Sequence, residues 1–127
     1  MKRDTNDIKW QETKQKVQKR DDNSCRLMKV LTPVEYFLLK KKAGYWLSII
    51  DPAHFISVSE RPDLCYVPEN IVCLNRYSHE QLDSYRDPIT GKSLSAEEHR
   101  NWWIRILKGN SIQWNYLINN HLIENEG

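Results

Sequence analysis

His54, Asn70 and His79, with Asp51 and Asp83 at its two ends, stand within one short stretch, which reads DPAHFISVSERPDLCYVPENIVCLNRYSHEQLD. These residue types suit metal-dependent cleavage of phosphodiester bonds. On an extended chain Asp51 and Ala53 share one face of a strand and His54 points to the other, which keeps the carboxylate and imidazole close without competing for one space. In SHEQLDSY, His79 and Asp83 are four apart, so a helix projects both from one face. A strand carrying Asp51 and a helix carrying His79 and Asp83 can then converge on one divalent ion. Imidazole with carboxylates suits Mn, Ni, Co or Zn as well as Mg, so the donors leave the metal open. A water attacking phosphorus must lose a proton, and the group titrating nearest neutral pH is a histidine, a role that falls to His54. Asn70, just before the apolar run IVCL, fits a turn leading into a short buried strand.

The order His54, Asn70, His79, with Asn70 and His79 nine positions apart, resembles the HNH branch of the His-Me finger, or ββα-metal, nucleases. The resemblance covers about a quarter of the chain and rests on the combined pattern. It implies a hairpin-and-helix finger, cleavage of DNA with one divalent metal ion, His54 as base and Asn70 holding the hairpin loop and helping to orient that base. His79 and Asp83 become metal ligands. Many members carry a ligand immediately before the base, where this chain has Ala53, so Asp51 is inferred to replace it. The D-x-A-H order followed by proline, leucine and an aromatic, then E-N, is most similar to phage Rap-type recombination endonucleases, which implies branched or nicked DNA as substrate. Many HNH domains also clamp a structural zinc with two C-x-x-C pairs, one of them where this chain has Asn75 and Ser78. Cys25, Cys65 and Cys73 are the only cysteines and none are so spaced, which excludes a four-cysteine zinc. Packing by Tyr66, Ile71, Val72, Leu74, Tyr77 and Leu82 must hold the finger instead.

Arg61 and Arg76 flank the hairpin, and either can hold a phosphate through paired N–H groups or form a surface salt bridge. His99 and His121 have no partner at ligand spacing within their predicted helices and read as solvated or packing residues. A different class stays open: a finger whose metal site has decayed, left as a DNA-binding or protein-interaction module, a view that Ala53 encourages. An RNA-directed enzyme is a third reading, though nothing here reads a 2′-hydroxyl.

The surrounding elements must position these groups. The 127 residues, 39% hydrophobic, support one domain with a core. No apolar run is long enough to span a membrane and MKRDTNDIKW lacks a secretion signal, which predicts a cytoplasmic protein, that of a bacterial host if phage-encoded. Three cysteines without framework spacing fit a reducing compartment. Residues 1–42 hold twelve Lys and Arg against six Asp and Glu, and the remainder seven against eleven, giving +6 and −4. A basic arm can attract a phosphate backbone while the acidic part retains an ion, although KQKVQKRDD also reads as a solvated lead-in. Residues 1–24 are polar, with Trp10 and Val17 too sparse for a strong helical face, and predict a mobile arm or a helix that orders on a partner. Residues 25–127 form the nuclease-like domain.

Thr32, Pro33 and Glu35 predict a capped helix from Pro33 to about Lys42, ended by Gly44. YWLSII then reads as a buried strand leading into Asp51. Ser95 with Glu98 opens another helix, with Trp102, Trp103, Ile106 and Leu107 as its apolar side and Gly109 at its end. Trp114, Leu117, Ile118 and Leu122 repeat the spacing in a final helix. The five tryptophans can stack on bases, but Trp103 and Trp114 read as core. The expected fold is a small α+β domain, a ββα-metal finger braced by further helices. A single small site cuts one strand, so double-strand cleavage needs a homodimer or two events, and nothing in the chain marks a dimer face.

Overall fold

The structure, a computed structural model, describes residues 8–123. Among these the fold is α+β, with five α-helices and one two-stranded antiparallel sheet. The order is α1 (Ile8–Arg20), α2 (Pro33–Ala43), β1 (Ile50–His54), β2 (Ile71–Asn75), α3 (Arg76–Asp83), α4 (Ala96–Leu107) and α5 (Ser111–Asn119). Local chemistry starts the helices where the sequence predicts. Thr32 Oγ1 accepts from the Glu35 amide and Glu35 accepts from the Thr32 amide, and Ser95 with Glu98 repeats the arrangement. Gly44, at φ 52°, ends α2 in a conformation that costs a side-chain-bearing residue more.

Two expectations are corrected. YWLSII is not a strand: Gly44–Ser48 is a 3-10 turn and only Ile50 enters β1. Tyr45 and Trp46 are exposed while Leu47 and Ile50 pack against the core, so the run is only partly buried, and a short apolar run cannot separate strand from turn. Nor does Ile8–Arg20 wait for a partner. It is helical, and Trp10, Thr13 and Val17, at i, i+3 and i+7, are buried against the protein's own sheet. A threonine completes that face, donating to the Tyr66 carbonyl at 3.0 Å, so counting apolar residues alone underestimates it.

In the hairpin, Asp51 pairs with Leu74, Ala53 with Val72 and His54 with Ile71. Ala53, Val72 and Leu74 join the main core with Leu27, Leu39, Leu82, Trp103, Ile106 and Leu117. Ile71 and Cys73 join Trp10 and Val17 in a second cluster beneath α1. The sheet thus has helices on both faces, and alternation along β1 sends Ala53 toward one and His54 toward the other. Of the residues expected to hold the hairpin, Ile71, Val72, Leu74 and Leu82 are buried, while Tyr66 and Tyr77 are half-buried. Trp103 is core. Trp114 is half-buried, with the Lys108 ammonium 5.2 Å from its ring centre, and α5 stops at Asn119, short of Leu122.

The outer edge of β2 is closed by side chain and loop rather than by a third strand. The Cys73 amide donates to Asp21 at 2.9 Å and its carbonyl accepts from the Arg26 amide at 2.8 Å. Asp21 also accepts from the Arg20 and Arg26 guanidinium groups, and Arg26 donates onward to Gln113 and to the Ile106 carbonyl. Gln113 in turn donates to the Glu69 carbonyl. One buried polar network therefore joins α1, β2, α4 and α5. Burial works to raise the Asp21 carboxyl, but the hydrogen bonds from Arg20 and the Cys73 amide outweigh it and hold the group below its ordinary range. No helix among the described residues is long and apolar enough to cross a membrane.

Candidate functional site

The sequence-predicted residues fall into two clusters on opposite sides of β1. On the α3 side, Asp51 accepts two hydrogen bonds from Arg76, at 3.0 Å and 3.2 Å, and its second oxygen lies 3.2 Å from His79 Nδ1. The other ring nitrogen of His79 lies 3.3 Å from Asp83. Asn75 starts α3 by accepting from the Ser78 amide at 2.8 Å, which sets the helix directly after the strand and carries His79 and Asp83 one turn apart. Burial acts to raise the Asp51 carboxyl, yet the hydrogen bonds from Arg76 and His79 prevail and keep it below the usual carboxylate range.

This arrangement departs from a convergence of Asp51, His79 and Asp83 on one ion. The carboxylates meet opposite nitrogens of one imidazole, with Asp51 further committed to Arg76. Among the described residues, no group of three or more His, Cys, Asp or Glu side chains is placed to hold a metal ion. Ala53, at the position before His54, is buried in the core and supplies no ligand.

On the α1 side, His54 Nε2 lies 3.0 Å from the Cys65 carbonyl. A carbonyl only accepts, so Nε2 carries the hydrogen and Nδ1 is the basic nitrogen of the neutral ring. The ring also stacks on Trp10, with centroids 5.9 Å apart. Asn70 lies where the long loop re-enters the hairpin and is fully buried. It accepts from the Ile56 amide at 2.8 Å, and donates to the Ile56 carbonyl at 2.9 Å and the Leu64 carbonyl at 3.4 Å. The Phe55 amide donates to the Asn70 carbonyl at 2.8 Å. Asn70 thus ties both ends of the loop whose Cys65 carbonyl holds His54.

The two sides meet at a cavity of about 150 Å³ lined by His54 and Asp83 together with Glu60, Tyr85 and His99. Here His99 takes the packing rather than the solvated alternative. Its Nε2 donates to the Leu82 carbonyl at 2.9 Å, and its ring stacks on Tyr85 with centroids 3.7 Å apart. Burial pulls its pKa down, favouring the neutral ring. A search for partners along its own helix misses these contacts, because Leu82 lies 17 residues away. Trp10 and the Cys65 carbonyl were missed likewise, and no motif announces a backbone acceptor. Arg61 forms an exposed pair with Asp63 at 2.7 Å and 2.9 Å, the surface salt bridge. Arg76 is also paired, but its half-exposed side chain stands beside the His79 cluster.

All three cysteines are free and buried. Asn75 and Ser78 occupy positions where cysteines would be needed for a zinc clamp. Asn75 caps α3 and donates to Cys25 Sγ at 3.3 Å, while the buried Ser78 hydroxyl has no hydrogen-bond partner among the described residues. Comparison with protein-family models, curated proteins and solved structures finds no match to the chain.

Proposed function

We propose that this protein is a divalent-metal-dependent DNA endonuclease of HNH type, with the hairpin and α3 as a ββα-metal finger. The observation that carries the reading is the pairing of a histidine locked through Nε2–H to a loop carbonyl with a carboxylate, Asp83, lining the same cavity. The order of elements supports it too: strand ending in His54, loop tied by Asn70, strand, then the helix bearing His79 and Asp83.

The donors fit an ion held by His79 and Asp83, the rest of its coordination coming from water and substrate. Asp51 then serves the opposite nitrogen, fixing the ring by a carboxylate–histidine contact of the kind that supports metal ligands. Mg or Mn suits the aqueous, oxygen-rich remainder best, with Ni, Co or Zn open. When bound, the ion would offset charge on the phosphate and favour departure of the leaving oxygen. His54 Nδ1 accepts a proton from water as its oxygen bonds to phosphorus and the P–O bond to the leaving sugar breaks; the leaving oxygen is protonated from solvent. Arg76 is placed to trade one of its Asp51 hydrogen bonds for a phosphate oxygen. The similarity to phage Rap-type enzymes extends the proposal to branched or nicked DNA in phage or prophage recombination.

A second reading, an inactive HNH-derived DNA-binding or interaction module, is favoured by Ala53 and by the Asp51–Arg76 pair, which leave the finger short of a ligand. Supercoiled plasmid and a four-way junction, incubated with Mg, Mn, Ni or EDTA beside the His54→Ala variant, separate the two. Metal-dependent nicking that falls about 10²–10⁴-fold in the variant is expected. DNA binding with no cutting by either form under any metal establishes the module instead.

A further inference from the structure

We propose that the outward face of α2 and the turn after it bind a single-stranded nucleic acid segment and lead it toward the His54–Asp83 cavity. The binding stands on this surface alone, and only its delivery to the cavity rests on the nuclease reading. Of the eleven residues of α2, just Leu39 and Ala43 are buried. Val34, Tyr36, Phe37 and Leu38 are exposed, and the patch continues through Tyr45, 79% exposed, and Trp46. These are six of the nine large apolar side chains exposed among the described residues, all within residues 34–46, so the exposed apolar side chains are concentrated on one helix and its following turn. Such a surface marks an interaction site.

Its charge selects the partner. Lys40, Lys41 and Lys42 are all exposed, whereas Glu35, the one acid on α2, is turned onto Arg105. Two copies packed through this face would bring six lysines together without an unpaired acid to meet them, which disfavours a homodimer. A polyanion is matched. Four of the six exposed apolar residues are aromatic, and cations alternate with the rings: the Lys41 ammonium lies 5.3 Å from the Phe37 ring centre and the Arg76 guanidinium 5.8 Å from that of Trp46. Rings for bases and cations for phosphates are the two requirements of single-strand binding. A duplex keeps its bases stacked inside, away from rings on a convex helix. The patch also adjoins the candidate site, since Trp46 lies against Arg76 and Arg76 binds Asp51, which contacts His79.

Fluorescence anisotropy with labelled oligothymidylate, alone and annealed to its complement, tests the proposal on the intact chain. Phe37→Ala with Tyr45→Ala is expected to weaken single-strand binding at least tenfold. Replacing Lys40, Lys41 and Lys42 by glutamine should reduce the slope of log affinity against log salt by about 2. Unchanged single-strand affinity and salt slope in both α2 variants overturns the inference, even if cleavage is observed. Absence of cleavage with these losses present overturns the nuclease reading and leaves the strand site standing. A parent dimer in sedimentation that Phe37→Ala with Tyr45→Ala converts to monomer, at unchanged strand affinity, assigns the face to a second copy and also overturns it.

Discussion

Replacing Asn70 by alanine tests whether this side chain holds the loop that positions His54. Its two short hydrogen bonds, at 2.8 Å and 2.9 Å, satisfy both the amide and the carbonyl of Ile56, while the third, at 3.4 Å, is long enough to count little. Alanine leaves two backbone groups without their partner and vacates space in a fully buried position. Each unsatisfied group costs about 1–3 kcal/mol, and Ile56 is half-buried, so water recovers part of that. The expected loss is about 3 kcal/mol, or roughly 2 M in urea midpoint for an m-value of about 1.5 kcal/mol per molar. Urea unfolding followed by tryptophan fluorescence measures it. Asn70→Asp should fare no better, because a carboxylate still accepts from the Ile56 amide but repels the Ile56 and Leu64 carbonyls. In conditions where Asn70→Ala stays folded, loosening the Cys65 carbonyl should lower kcat of the proposed strand cleavage about 100-fold with little change in KM. A midpoint within about 0.3 M of the parent, or an Asp variant as stable as Asn, refutes the assignment of Asn70 as the tie.

Asp21→Asn leaves the buried Arg26 and the partly buried Arg20 guanidinium groups without their anion and should cost about 3–5 kcal/mol, read by the same unfolding assay; an unchanged midpoint would sink the network as a structural joint. Trp10→Ala should cost about 3–5 kcal/mol, whereas a dispensable arm would lose nothing. Hydrogen bonds from Arg105 pull Glu35 from 4.5 down to about 2, so its contribution is complete above pH 4.5 and disappears as pH falls from there toward 2. The pair is solvent-screened and worth about 1 kcal/mol, and Glu35→Gln should flatten the acid limb of stability across that window.

What was legible in the sequence is what depends on neighbours a few residues apart. Thr32 with Glu35 and Ser95 with Glu98 cap their helices by bonds spanning three residues, so reading them requires no knowledge of the fold. The spacing of His79 and Asp83 survives for the same reason. The hairpin itself came with the resemblance and the apolar run IVCL, since β2 is buried throughout and shows no alternation, whereas alternation along β1 correctly divides Asp51 and Ala53 from His54. Illegible parts close over long sequence distances. The Asp51 carboxylate reads as available in the sequence, but in the fold Arg76, 25 residues on, occupies it. The face of α1 includes Thr13, whose acceptor is 53 residues away, so its burial is decided by a loop the helix cannot anticipate. The run YWLSII failed differently: Tyr45 and Trp46 face solvent while Leu47 and Ile50 pack on the core, and apolarity predicts burial only when the surface has no use for it. The same argument bears on the candidate site. A residue list in the right order can be assembled locally, but whether Asp51 ligates an ion or only orients His79 depends on Arg76. On the proposed metal site, Asp51→Asn should therefore weaken binding by calorimetry about 10–100-fold, the cost of losing an orienting carboxylate, with the ion still bound at the same stoichiometry. Complete loss of binding would instead make Asp51 a ligand and require the Arg76 pair to open when metal enters.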